Sequence, residues 1–365
     1  MGKRKAIKAG AEFEARFYAN PKQDSPFRFR ATHLDGERAP KVVLSNDARI
    51  QPGKLCRVRI SKVLKPQAKD RGHIEVEWLC QVNFKLDDSI YINRPMERKL
   101  QALLESGRNI LLDGPQGSGK TFLTSKIAEA LGFEYIYFNC SAVYEASDFM
   151  AILQLRASEH GQTETVWIET DILRALHAAH EQPSRNFLIF LDELNRCREM
   201  ARNGLMPALD ATRKIYNPIN GEFIDIPDNV LWVAAINNGA QFTGTTTIDP
   251  AQLDRFAPLK MDYPPEAAER RLLTKRYPDV PVHLIERTVQ AANAVRHDPQ
   301  LAVDLSMRAT DEVCMLLGHP NYASYDGDPL PEILQTSFCA RFLGSWDNPA
   351  SDAGMVWKLI EKTLK

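Results

Sequence analysis

Residues 114–121 read Gly-Pro-Gln-Gly-Ser-Gly-Lys-Thr, between the run Asn109-Ile110-Leu111-Leu112 and a helix-prone stretch over 122–131. A buried strand, a glycine loop and a helix in that order make a phosphate-binding loop. The glycines let the backbone wrap with its N–H groups aimed inward at phosphate oxygens. The whole segment Gly114, Pro115, Gln116, Gly117, Ser118, Gly119, Lys120 and Thr121 is therefore the expected nucleotide-binding element. Within it, Lys120 can reach the β- and γ-phosphates, and the Thr121 hydroxyl can hold a magnesium ion.

Hydrolysis needs more than a cradle, and the sequence supplies a second element about seventy residues on. Phe187-Leu188-Ile189-Phe190-Leu191 is five apolar residues in a row, as in a strand buried on both faces of a parallel sheet, and it ends in Asp192-Glu193. Carboxylates at that strand tip face the phosphates. Asp192 is expected to hold the magnesium shell, and Glu193 to polarise the attacking water.

Composition is ordinary for a globular chain, with 44% hydrophobic and 25% charged residues over 365 positions, enough for two or three domains. No apolar run approaches the roughly 18 residues of a membrane span. The basic start Met1-Gly2-Lys3-Arg4-Lys5 is not followed by an apolar core of signal-peptide length, so a cytoplasmic protein without a membrane partner is expected. Six scattered cysteines, with no metal-like spacing, read as reduced and buried. Charge is uneven: residues 1–95 hold 20 Lys and Arg against 11 Asp and Glu, a basic head on an acidic body. Such a head suits a nucleic acid or another acidic partner, or simply attraction to the rest of the chain.

Three regions follow. Residues 1–90 form a first, β-rich region: from Phe27 to Leu86 the pattern alternates with period two, in runs such as Leu55-Cys56-Arg57-Val58-Arg59-Ile60, separated by Asp35-Gly36, Pro52-Gly53 and Arg71-Gly72. That pattern predicts a small antiparallel barrel or sandwich, an oligonucleotide-binding barrel being one candidate, with Phe27, Phe29, Trp78 and Phe84 as core. Asn93-Arg94-Pro95 breaks the pattern before a short helix over 96–106. Residues 91–263 alternate strands (135–138, 188–191, 230–236, 259–261) with helices, predicting an α/β core with a parallel sheet covered on both faces. Residues 264–365 lose the strand signal and predict a helical lid, with helices over 265–276, 282–296, 303–317, 331–342 and 355–364.

Several motifs resemble the AAA+ ATPases, in particular the MoxR-like group that includes McrB restriction motors and CobS chelatase subunits, over about residues 96–317. Asp192-Glu193-Leu194-Asn195-Arg196 is similar to that group's Asp-Glu-Ile-Asn-Arg signature, and Leu253-Asp254-Arg255-Phe256 to its Leu-Asp-Arg-Phe box. By this resemblance Asn237, in Ala234-Ala235-Ile236-Asn237, is the first sensor, with Asn238 a rival one residue on. Arg255 is the arginine finger supplied to a neighbouring subunit. Arg308, in Ser306-Met307-Arg308, is the second sensor on the lid. Arg196 is a subunit-interface residue or a second trans-acting cation, and Asn139 either restrains Glu193 or caps the next helix. Hairpins at 153–167, turning at His160-Gly161, and at 214–228, turning at Asn220-Gly221, resemble the group's pore-lining inserts. Gln116 departs from the second proline of many relatives, and residues 1–90 have no named match.

The resemblance implies a ring-forming ATPase, expected as a homohexamer, that uses ATP and magnesium, with GTP not excluded. Three uses of hydrolysis follow: remodelling of a client protein, movement on DNA or RNA held by residues 1–90, or a nucleotide-gated scaffold with little turnover.

Overall fold

The computed structural model describes residues 12–19, 27, 29–33, 41–46, 55–63, 74–81, 86–157, 163–183, 185–237, 248–301, 305–323 and 326–364. The turn pairs 35–36, 52–53 and 71–72, Phe84, the hairpin tip 160–161, Met1–Lys5 and Asn238 lie outside them.

The N-terminal strands are β1 (Glu12–Arg16), β2 (Tyr18–Ala19), β3 (Phe29–His33), β4 (Lys41–Ser45), β5 (Leu55–Val63) and β6 (Ile74–Gln81), in the order β1-β5-β6-β4-β3-β2. The two edges, β1 and β2, are halves of one run separated only by Phe17, which is fully buried, so the sheet closes into a five-strand barrel. Alternation places Cys56, Val58 and Ile60 inside. One pairing departs from the antiparallel expectation: β4 and β6 run parallel, Val43 opposite Ile74. Closure requires it, because five strands, an odd number, cannot alternate in direction all the way round a barrel, and one neighbouring pair must run parallel.

Helix α1 (Arg94–Glu105) begins earlier than the sequence suggested. Asn93 accepts a hydrogen bond from the Met96 amide, and Pro95 occupies the first turn, where a missing N–H costs nothing. The apparent break is a cap. The core then runs β7 (Ile110–Gly114), α2 (Lys120–Leu131), β8 (Glu134–Asn139), hairpin β9 (Ala151–Ala157) with β10 (Thr163–Glu169), α3 (Asp171–Glu181), β11 (Phe187–Asp192), α4 (Glu199–Leu209), hairpin β12 (Lys214–Asn217) with β13 (Glu222–Asp225), β14 (Val230–Asn237), α5 (Pro250–Leu253) and β15 (Ala257–Lys260). Five of these strands form a parallel sheet, β15-β7-β14-β11-β8. Apolar layers pack on both faces, one around Leu123, Ile127 and Phe190, the other around Leu173, Leu205 and Trp232. The C-terminal ends of β7, β11 and β14 meet at one edge, where open α/β sheets place ligands.

The lid contains α6 (Glu266–Arg276), α7 (Val282–Arg296), α8 (Met307–Leu317), α9 (Pro320–Ala323), α10 (Leu330–Ser337) and α11 (Asp352–Leu364). Two helices are shorter than expected. Ser306 is extended, so α8 starts at Met307, and α10 gives way to a 3-10 turn at Cys339–Arg341. Inside the lid core, Glu269 and Arg296 form a buried pair, Nη1 and Nη2 of Arg296 donating to the carboxylate at 2.5 and 3.1 Å. Thr310 Oγ1 donates to the same carboxylate at 2.7 Å. Removing one partner strands a buried charge, so Arg296→Ala should destabilise the chain by about 3–5 kcal/mol. A urea unfolding midpoint no lower than that of the unmodified chain would contradict this.

Cys56, Cys140, Cys197, Cys314 and Cys339 are buried free thiols. Among the described residues no helix is long and apolar enough to cross a membrane.

Candidate functional site

The loop between β7 and α2 owes its shape to its glycines. Gly117 and Gly119 have φ of +72° and +88°, a region other residues rarely enter. Gly117 also lies against the lid, since a Cβ there would sit 2.6 Å from Ser306 Cβ. Lys120, the first residue of α2, is buried, and its ammonium donates to the carbonyls of Gly114 (2.9 Å) and Pro115 (2.8 Å). Burial pulls its pKa down to about 8, against the opposing pull of Asp192, Asp113 and Glu193.

Thr121 follows, and its hydroxyl donates to Asp192 Oδ2 at 3.2 Å, bringing the loop to the tip of β11. Tyr137 on β8 donates to the same carboxylate oxygen at 3.3 Å. Glu193 comes next at φ +54°, a left-handed conformation costly for a residue with a side chain, while its amide donates to Asp192 Oδ1 at 3.0 Å. This kink separates the two carboxylates. Glu193 Oε1 accepts from Asn237 Nδ2 at 3.4 Å, and its Oε2 lies 3.4 Å from Arg196 Nε. Asn237, at the end of β14, is held by a reciprocal pair: Asn195 Nδ2 donates to its carbonyl at 2.8 Å, and its amide donates to Asn195 Oδ1 at 3.4 Å.

These groups surround a cavity of about 760 Å³, within the size range of ligand sites. Lys120, Thr121, Asp192, Glu193 and Asn237 line its floor, and Arg308 and Met307 line it from the lid. Ile90 and Tyr91, from the segment before α1, and Leu272 and Arg276 of α6 also line it. Arg255 is not among the lining residues. Its carbonyl is fixed by Asn109 Nδ2 at 3.1 Å and its Nη1 donates to the Ala251 carbonyl, while its Nε is buried without a hydrogen-bond partner among the described residues. Asn139 accepts from the Ser141 amide at 2.9 Å and caps the following 3-10 turn, the second of its two readings. Arg196 approaches Glu193 of its own chain.

Sequence reasoning missed Tyr137, Tyr91 and Asn195. Only Asn195 left a signal, inside the Asp-Glu-Leu-Asn-Arg run. Among the described residues no three His, Cys, Asp or Glu side chains gather as a metal cage. A hydroxyl and a carboxylate converging beside a phosphate loop fit magnesium, a hard ion that keeps most of its water and takes few protein ligands.

Residues 109–256 match the family model of the AAA domain, dynein-related subfamily. The core has the AAA+ fold. An uncharacterized protein of Staphylococcus saprophyticus is 31% identical over 175 residues, covering 47% of this chain and 63% of the relative. An uncharacterized protein of Staphylococcus haemolyticus is 31% identical over 163 residues, covering 45% of this chain and 59% of the relative. The matches thus span less than two thirds of these relatives. Among solved structures, the Holliday junction branch migration motor RuvB of Thermotoga maritima is similar at 18% identity, covering 67% of this chain and 70% of that one, with a TM-score of 0.42.

Proposed function

We propose that the chain binds and hydrolyses ATP and couples hydrolysis to remodelling of a partner protein, as a ring-forming ATPase of the MoxR-like group. The observation that carries this reading is the single cavity shared by the phosphate loop, the Asp192-Glu193 tip, Asn237 and Arg308. The loop amides and Lys120 hold the phosphates. Thr121 and Asp192 would hold magnesium, which when bound neutralises charge on the phosphoryl group. Glu193 takes the proton of the attacking water as its oxygen bonds to the γ-phosphorus and the bond to the β-phosphate oxygen breaks. Asn237 orients that carboxylate without adding charge, and Arg308 binds the γ-phosphate and reports it to the lid. Arg255 serves the cavity of an adjacent subunit in a ring, taken as a hexamer.

One observation favours a second reading, in which the chain is a motor on nucleic acid. The head is a closed five-strand barrel, an architecture suited to oligonucleotides, on the basic end of the chain.

Titration with a fluorescent ATP analogue tests the nucleotide site. Lys120→Ala removes a charged donor and should weaken binding by about 10- to 100-fold. Equal affinity in the two proteins would remove the nucleotide reading.

A further inference from the structure

A chain of contacts outside the roles assigned above crosses from the phosphate loop into the lid. Tyr263 donates its hydroxyl to the Gln116 carbonyl at 2.9 Å. Its ring lies against the Arg296 guanidinium, whose carbon is 4.7 Å from the ring centroid. Arg296 is the buried partner of Glu269, and its Nε donates to the Leu305 carbonyl at 2.6 Å. Glu269 in turn accepts from Thr310. Leu305 and Thr310 flank Arg308 in sequence, at the start of α8.

A loop that aims its amides at phosphate aims carbonyls away from it, and those carbonyls need donors. Lys120 serves Gly114 and Pro115, and Tyr263 serves Gln116. Phosphate oxygens compete for the Lys120 ammonium, because a charged acceptor binds it more strongly than a neutral carbonyl. Tyr263 itself is not among the residues lining the cavity, so its hydroxyl stays with the Gln116 carbonyl.

At the other end, the Arg296 guanidinium has little freedom. Its edges are committed to Glu269 and to the Leu305 carbonyl, and one face is against Tyr263. With neither Glu269 nor Arg296 reachable by water, displacement of the Tyr263 ring must be answered by the backbone on either side of Arg308.

We propose that Tyr263 is a positioning residue that ties the phosphate loop to the Glu269–Arg296 pair and thereby fixes Arg308 over the cavity. The proposal rests on the nucleotide-site reading given above. Tyr263 does not touch the reacting atoms; it acts through Gln116 on one side and Arg296 on the other.

Tyr263→Phe keeps the ring beneath Arg296 and deletes only the donor. Full-length protein carrying it should lose about three- to tenfold in kcat, the scale of one hydrogen bond, while affinity for the ATP analogue changes less than about twofold. Arg308→Ala should lose more, and adding Tyr263→Phe to it should cost nothing further, because both act through one contact. Melting temperatures of the four proteins separate this coupling from simple destabilisation. Tyr263→Phe turnover equal to the unmodified chain, or a loss that multiplies fully with Arg308→Ala, overturns the proposal while leaving the nucleotide site standing. Lys120→Ala binding as tightly as the unmodified chain overturns both.

Discussion

Glu193→Gln should abolish most turnover, by about 10²- to 10⁴-fold, while nucleotide binding changes little. Glutamine has the shape of glutamate and can still accept from Asn237 Nδ2 through its amide oxygen. What it loses is the ability to take a proton from water. In the proposed reading the phosphates are held by the loop and Lys120, not by Glu193, although all of them line the same cavity. The substitution also removes the negative charge that faces Arg196, a partly exposed contact at 3.4 Å, so its effect on folding should be small. Single-turnover phosphate release beside equilibrium binding of the ATP analogue reads the two quantities separately. If release stays fast, the base is elsewhere; if binding collapses with it, Glu193 supports the cradle rather than the chemistry. The variant also distinguishes the three uses of hydrolysis set out above. A remodeller or a translocating motor stops with hydrolysis, whereas a nucleotide-gated scaffold keeps working.

The parts legible in the sequence are those whose chemistry is local. A run of five apolar residues ending in Asp192-Glu193, read together with the upstream glycine loop, points to a buried strand with its acids at one end, and Gly117 and Gly119 adopt a turn that other residues resist. Lid helices were visible through their periodicity, though their ends were not. Ser306, extended ahead of α8, lies against Gly117 about 190 residues away, a contact no window of sequence contains. Separations of 55 and 147 residues likewise hide Tyr137, which reaches Asp192 only once β8 lies beside β11, and Tyr263, which reaches Gln116 only in the folded chain. In the barrel, period-two alternation marks the strands but cannot show the parallel pairing of β4 with β6, which follows from closing an odd number of strands through the shared run of β1 and β2. Asn93-Arg94-Pro95 shows the converse error: residues that end a strand pattern also begin a helix, and only the cap hydrogen bond distinguishes the two.

Arg255→Ala should lower turnover by about 10³- to 10⁵-fold with unchanged nucleotide affinity, and the loss should be repaired by a second inactive protein. The side chain is absent from its own cavity, so affinity has no reason to change. Its backbone is pinned by Asn109, which also donates to the Leu209 carbonyl at 2.7 Å, while among the described residues the guanidinium is shown donating only to the Ala251 carbonyl. A cation held firmly at its base and weakly at its tip is suited to stabilise charge across a subunit boundary. Mixing tests this directly. In a mixed ring, an Arg255→Ala subunit still provides Glu193, and a Glu193→Gln neighbour still provides Arg255, so the cavity between them in that order is complete. Random assembly of equal amounts makes about a quarter of the cavities complete, and two inactive preparations should together recover about a quarter of normal turnover. Recovery requires subunit contact, so it should vanish on dilution below the assembly concentration. A mixture no more active than its separate components, under conditions where rings form, would mean that each chain hydrolyses ATP alone and that Arg255 acts only within its own fold.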